Sequence, residues 1–428
     1  MRAPTAPALR VIVANDHLYA DGGADVVALG SAEALEAAGV PVTLFVADAL
    51  RADDQQSRQA RLVATGQADL LGNRWRARAA VQGLWNLPAA RSFEQLLAQH
   101  DPADTVVHLH SWTKSLSASV LRTALGAGFA VVCTLHEYFS ICPNGGLFDF
   151  QRGQICRIEP MSARCVLTHC DARRYAHKLY RVARQVVQRH AGRMPAGIQA
   201  FIVVSRFSER LLAPHLPPGA RVYFVRNPID ASRQPPADVQ RREGFVAVAR
   251  LSVHKGQELF LRACAAAGVP ATCVGDGEDR AALQQRFPAA RFTGQLPPPA
   301  VARTMRSARA LVLPSLFYET QGLVVDEAAA LGVPAIVPDE CAASDSVIDG
   351  QTGLVFRSGD QDSLVQALRR LHDAPAFAAL LGRQAYERFW RQPPTPAAHA
   401  AALIDVYLRE LHRIRAGAAA ATGALVSP

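Results

Sequence analysis

Short apolar runs of strand length alternate along this chain with longer stretches whose apolar residues recur at helical spacing. That is the pattern of an α/β protein with parallel sheets. Residues 9–14 read as a first buried strand, followed by a loop with Gly22-Gly23 and a helix from about Asp25 to Ala38 that Gly39 would end. Strands at 42–46, 105–109, 130–135, 200–205 and 222–225 continue the series. The segment from Asp230 to Gly244 carries a Pro pair and no apolar period, which marks it as a linker. A second α/β series then begins, with strands at 245–249, 271–274, 310–313 and 335–337. Residues 395–415 read as one more helix with an apolar face, and the Ala-rich end after Gly417 reads as a frayed tail. The expectation is an N-terminal domain over 1–232, a C-terminal domain over 243–394, a helix over 395–416 and a tail over 417–428. Both domains would be doubly wound, with ligands in the cleft outside the carboxyl ends of the strands.

Composition narrows the class. With 428 residues, 50% hydrophobic and 19% charged, the chain can bury two cores and is neither disordered nor collagen-like. No stretch approaches the roughly 18 uninterrupted apolar residues of a membrane span. The first residues lack a signal peptide's apolar stretch and cleavage site, so the expectation is a soluble, cytoplasmic protein. The net charge of +9 is unevenly spread: 25 of 46 basic and 18 of 37 acidic residues lie at or before Asp230, leaving 21 and 19 after it. The basic half would face an anionic partner or simply solvent.

Candidate chemistry concentrates in the second half. The strand 245–249 ends in a loop holding Arg250 and Lys255-Gly256 and leading into a helix, an arrangement suited to a diphosphate or else two surface cations. Glycine turns follow at Gly275-Asp276-Gly277 and Thr293-Gly294. After the strand 310–313 comes Glu319-Thr320-Gln321-Gly322-Leu323, with Glu327 eight residues beyond Glu319. If a helix starts near Gly322, both carboxylates could face one ligand at its N-terminus; the alternative is compensation of the helix dipole.

Taken in order, these elements resemble the nucleotide-sugar domain of retaining GT-B glycosyltransferases, family 4. An Arg…Lys-Gly loop, a Gly-Asp-Gly turn and Glu319-x7-Glu327 run into a helix ending Gly332-Val333-Pro334, with a closing loop Asp349-Gly350-Gln351-Thr352-Gly353. Gln321 departs from the pattern, where many members carry an aromatic residue. In the first half Gly22-Gly23 resembles the family's Gly-Gly loop, and His136-Glu137 its His-Asp/Glu element. The resemblance implies a C-terminal helix crossing back to the first domain and sugar transfer with retention from a nucleotide-diphosphate donor to a saccharide or lipid-linked saccharide. It implies no catalytic metal. Arg250 and Lys255 would hold the phosphates, assisted by amides at Gly322 and Leu323, while Glu327 takes the ribose hydroxyls. Glu319 would hold the sugar, and His136 would contact it from the opposite domain. An epimerase or phosphorylase of the same fold, or a donor-binding subunit without activity, are the rival readings. A nucleic-acid-binding protein is disfavoured, since no zinc-finger, RNP or helix-turn-helix signature is present.

Two further features stand outside this scheme. Cys142, Cys156, Cys165 and Cys170 crowd an insertion over about 140–172, read either as ligands of a structural zinc ion or as free thiols. Residues 171–193 carry seven cations, among them Lys178, Arg181 and Arg184, around Leu179, Val182, Val186 and Val187. This reads as a basic amphipathic helix for an anionic membrane surface, which the cations of residues 73–78 would extend, or as a solvated face.

Overall fold

The computed structural model describes residues 9–19, 22–51, 54–55, 58–67 and 76–424. Fifteen strands occur among them. The first nine are β1 (Arg10–Asn15), β2 (Val42–Val46), β3 (Arg61–Ala64), β4 (Thr105–Leu109), β5 (Ala130–Thr134), β6 (Phe148–Asp149), β7 (Gln154–Ile155), β8 (Ala200–Val203) and β9 (Arg221–Phe224). The other six are β10 (Phe245–Val248), β11 (Ala271–Val274), β12 (Arg291–Phe292), β13 (Ala310–Val312), β14 (Ala335–Pro338) and β15 (Gly353–Phe356). They form a seven-stranded sheet in the order β3-β2-β1-β4-β5-β8-β9 and a six-stranded sheet in the order β12-β11-β10-β13-β14-β15. Every pairing in both is parallel. The apolar runs are continuous because both faces of such sheets are covered by helices: Val11 to Ala14 and Val106 to Val107 are almost wholly buried. In each sheet the order reverses beside the first strand of its series, and this leaves a crevice at the carboxyl ends of β1 and β4 and of β10 and β13. β3 and the helices Arg76–Leu84 and Leu87–Leu97 fall in the stretch where the sequence pattern was least informative.

The last helix, Pro396–Ala424, returns to the first sheet. Leu403, Val406, Tyr407 and Leu411 pack with Val11, Val13, Val106 and Val132 in one core. It also runs on through the Ala-rich segment read as a tail, because alanine is the strongest helix former and outweighs the cost of Gly417.

The insertion is ordered. It contains the antiparallel hairpin β6–β7 and the short helix Ala163–Leu167, and leads into the helix Tyr175–His190. That helix corrects the reading of seven outward cations. Lys178, Gln185 and Gln188 are its buried residues. Arg181 pairs with the buried Asp171, and Arg184 turns to the carbonyls of Thr113 and Pro143. Leu179 and Val186 face outward instead. Of the adjoining basic segment, residues 73–75 lie outside the described residues. The four cysteines gather around Lys178, yet among the described residues no group of three or more His, Cys, Asp or Glu side chains is arranged to hold a metal ion. The positive charge beside the Cys165 and Cys170 sulfurs is the ammonium of Lys178.

A buried row of imidazoles connects the last helix to the crevice. Tyr407 Oη lies 2.6 Å from His108 Nδ1, His108 Nδ1 3.1 Å from His110 Nε2, and His110 Nδ1 2.9 Å from His136 Nε2. His108 Nε2 contacts Thr134 Oγ1 at 2.7 Å. With the tyrosine donating inward and every imidazole neutral and donating from Nε2, Tyr407 and His110 share the one lone pair of His108 Nδ1, the tyrosine at the shorter distance, and the other two contacts each have their own hydrogen. Burial supports that state. It holds His108 and His110 well below the usual imidazole range, and it lowers His136 from 6.5 to about 3. The unfolded chain therefore takes up protons on these residues below about pH 6.5 while the folded chain does not, so acidification favours unfolding. The urea midpoint should fall between pH 7 and pH 5, and His110→Asn should flatten that dependence. A midpoint unchanged over this window would contradict a neutral array.

Candidate active site

The loops that follow β10, β11, β12 and β13 are tied into one surface. Leu251 N donates to Asp276 O at 2.9 Å, Gly275 N to Gly294 O at 2.9 Å, and Leu316 N to His254 O at 2.9 Å. Two glycines make this possible. At Gly256, φ is +70° and an added Cβ would lie 1.9 Å from Pro314 O; at Gly275, φ is +130° and the Cβ would lie 2.1 Å from Ala249 O. Gly277 closes the same turn against Leu251. Thr293 spends its hydroxyl on the Gly294 carbonyl at 2.8 Å, so this turn offers backbone rather than a free side chain.

Here Lys255 and Glu319 meet. Lys255 Nζ donates to Glu319 Oε1 at 2.9 Å, Ser315 Oγ donates to the same oxygen at 2.7 Å, and the ammonium stands 4.8 Å from the centre of the Phe317 ring. The two side chains are 24% and 13% exposed, enough desolvation to make the pairing matter and enough opening to admit a ligand. His254 beside them is lowered to about 4, first by burial and then by the Lys255 charge, and remains neutral. Arg250 is exposed at the start of the same loop.

Gly322, with φ +79°, caps the helix Leu323–Ala330, whose free amides begin at Leu323. The carboxylate of Glu327 in its second turn has no hydrogen-bond partner among the described residues. Burial raises its pKa, and the neighbouring Asp326 charge adds to this. Gln321 is turned to structure: its amide reaches Asp326 Oδ2 at 3.2 Å and accepts from Asn227 N at 3.4 Å, while Arg226 approaches Asp326 at 3.4 Å.

The first domain closes the site from the other side. Thr320 Oγ1 donates to the His136 carbonyl at 2.9 Å, which sets the Glu319 loop directly against the end of β5. Tyr138 Oη points to Glu319 O at 3.5 Å. His136 lines a concavity with His110, Trp112 and Glu137. Glu137 is exposed into it without a hydrogen-bond partner among the described residues. Gly22 and Gly23 lie exposed at the start of the helix Gly23–Ala37, with no atom within 4 Å of an added Cβ. The insertion contributes a second bridge, in which Arg157 Nη2 reaches both Glu340 oxygens at 2.6 and 2.7 Å and Phe150 packs on His254 at 5.5 Å. Sequence reasoning missed this bridge, along with Ser315 and Tyr407. Single residues far apart in sequence left no local signal, although His108-x-His110 at the end of a strand does project two imidazoles from one face.

Comparison with known proteins bears on family and fold. Residues 242–374 match the family model of glycosyl transferases group 1, and residues 22–228 match that of the glycosyl transferase 4-like domain. Among curated relatives, a glycogen synthase of Mycobacterium tuberculosis is 34% identical over 40% of this chain and 44% of its own length. A GDP-mannose-dependent alpha-mannosyltransferase of the same organism is 32% identical over 42% of this chain and 50% of its own. The chain thus matches about half the length of these relatives or less. Two solved structures share the fold. Sucrose-phosphate synthase from Thermosynechococcus elongatus has a TM-score of 0.68 at 20% identity, covering 94% of this chain and 98% of that one. Anabaena HepE in complex with UDP-glucose has a TM-score of 0.62 at 15% identity, covering 95% and 100%. With a family model over most of each domain and this fold throughout, the chain belongs to the group 1 glycosyltransferases of GT-B architecture.

Proposed function

We propose that the protein transfers a sugar from a nucleotide-diphosphate donor to a saccharide or lipid-linked saccharide, retaining the anomeric configuration. The observation that carries this reading is the Lys255–Glu319–Ser315 cluster at the carboxyl end of the second sheet, facing His136 across the Thr320 contact. The names of the relatives, and the UDP-glucose of HepE, point to the same donor class.

Chemically, bond cleavage at the anomeric carbon leaves extra negative charge on the diphosphate, and catalysis must meet it there. Arg250, Lys255 and the amides at Gly322 and Leu323 supply positive potential at that position, and the partnerless Glu327 takes the ribose hydroxyls. When the phosphates engage Lys255, Glu319 loses its cation and its carboxylate is released to the sugar hydroxyls. His136 approaches the sugar from the first domain, held in one tautomer by His110. The acceptor oxygen attacks from the face the diphosphate leaves. Its proton passes to a departing phosphate oxygen, so no covalent sugar–enzyme bond forms. Lys255→Ala and Glu319→Ala should each lower turnover by about two orders of magnitude, close to 3 kcal/mol of transition-state stabilisation. A panel of nucleotide sugars, with and without EDTA and with the product anomer read by NMR, checks this. Loss of activity with EDTA, an inverted product or near-normal variants would each overturn a stated part of it.

We further propose that the enzyme works peripherally on an anionic membrane face. No helix among the described residues is long and apolar enough to cross a membrane. The support is the outward stripe of the helix Tyr175–His190, where Leu179 is 44% and Val186 43% exposed, with Leu167 at 76% on the neighbouring helix. Arg173, Arg174 and Arg193 are exposed at its two ends. Apolar side chains edged by cations suit an interfacial surface. Sedimentation with anionic vesicles at low salt should retain the wild type and release Leu179→Ser/Val186→Ser. Equal recovery with neutral vesicles would count against it.

A further inference from the structure

Lys178 is wholly buried, and its Nζ has two polar neighbours among the described residues: Cys170 Sγ at 3.3 Å and Cys165 Sγ at 3.5 Å. No carboxylate is paired with it; Asp171, the nearest acid in sequence, is held by Arg181 at 3.3 Å. A lysine of this kind is tolerated in an interior only if a neighbour supplies negative charge or takes its proton. Sulfur is what the site offers. Cys170 is the better placed of the two thiols, because Asn144 Nδ2 also donates to its Sγ at 3.1 Å and to its carbonyl at 3.0 Å. Two N–H donors aimed at one sulfur hold it in place and work against the effect of its burial. Burial pushes the Cys170 thiol up to about 11, against the pull of the ammonium. Burial works to lower Lys178, yet the charge available on Cys170 and then Cys165 raises it overall. Thiol and ammonium therefore each keep a proton at rest, and the ammonium must release one to solvent before the neutral amine stands against the thiol.

We propose that Lys178 and Cys170 are a covalent modification site, at which dioxygen joins the two side chains through one oxygen atom as Nζ–O–Sγ. The step balances as thiol plus amine plus dioxygen giving the bridged pair and water. The S–H bond, one N–H bond and the O–O bond break. One S–O and one N–O bond form, and the second oxygen leaves as water with both hydrogens. Sulfur and nitrogen each give up two electrons, and dioxygen takes the four. The product links the loop carrying Cys170 to the helix Tyr175–His190. It thereby fixes the insertion that reaches the other domain through Arg157 and Phe150. Excess dithiol should reverse it, which places it on the reversible part of the thiol oxidation ladder. This inference does not depend on the sugar-transfer reading.

The test is peptide mass spectrometry of the full chain, purified under air and, separately, without oxygen in the presence of dithiol. After trypsin, the air-exposed protein should yield residues 165–173 joined to 175–181, uncleaved at Lys178. Its mass should exceed the sum of the two separate, unmodified peptides by about 14 Da, one oxygen gained and two hydrogens lost. The species should be absent from the oxygen-free sample, from Lys178→Arg and from Cys170→Ser, and present in Cys165→Ser. Because the decisive comparison is the wild type with and without oxygen, a variant that fails to fold does not remove the test. Failure to find the linked peptide under air, a disulfide among the four cysteines in its place, linkage through Cys165, or about one sulfur-bound zinc per chain would overturn the proposal.

Discussion

The ion pair between Lys255 and Glu319 is the constraint on which the cleft depends. Neither charge is cheap to hold partly buried alone, and each is kept by the other, by Ser315 and by the Phe317 ring. For Lys255 to reach Glu319, the loop after β10 must lie against the loop after β13. That requires a glycine at 256, where any side chain would collide with Pro314 O. The same loop after β13 continues into Thr320, which bonds the His136 carbonyl, so placing the pair also places the first domain. Sheet order, loop docking and domain closure thus converge on two side chains.

Much of this was legible in the sequence, for identifiable reasons. Strands such as β1 and β4 are buried on both faces, so they read as continuous apolar runs, and the switch to a second series after the Pro-rich linker separates two sheets. The loops after β10, β11 and β12 were legible because each glycine turn sits at the end of such a run. What did not show was whatever depends on side-chain direction across long sequence distances. The helix Tyr175–His190 looked like a cationic face, but three of its polar residues are drawn inward by partners in the insertion, among them the Cys165 and Cys170 sulfurs that hold Lys178. Gln321, which stands where the resemblance expects an aromatic residue, ties Asp326 to the Asn227 backbone. The C-terminal helix ran past its expected end because the run of alanines outweighs the stop that Gly417 offers.

The interior polar groups share one physical logic. His108, His110 and His136 are kept neutral by burial and by donating to one another in series, which lets imidazoles sit in a core without a carboxylate partner. Lys178 solves the same problem with sulfur. In both places a group that is usually solvated is buried beside a soft or neutral acceptor. In both the segment it anchors reaches toward the cleft: His136 on one side, the hairpin β6–β7 on the other.

The central claim is that Lys255 exchanges Glu319 for the donor's phosphates. Calorimetric binding of UDP and GDP to the wild type, Lys255→Ala and Glu319→Ala tests it most directly, since it separates the two partners of one ion pair without requiring the acceptor. Lys255→Ala should weaken the better-bound nucleotide by about tenfold or more, near 1.4 kcal/mol. Glu319→Ala should leave affinity unchanged or strengthen it, because the carboxylate competes with phosphate for the same ammonium. Equal weakening by both substitutions, or no loss from Lys255→Ala, would contradict the account.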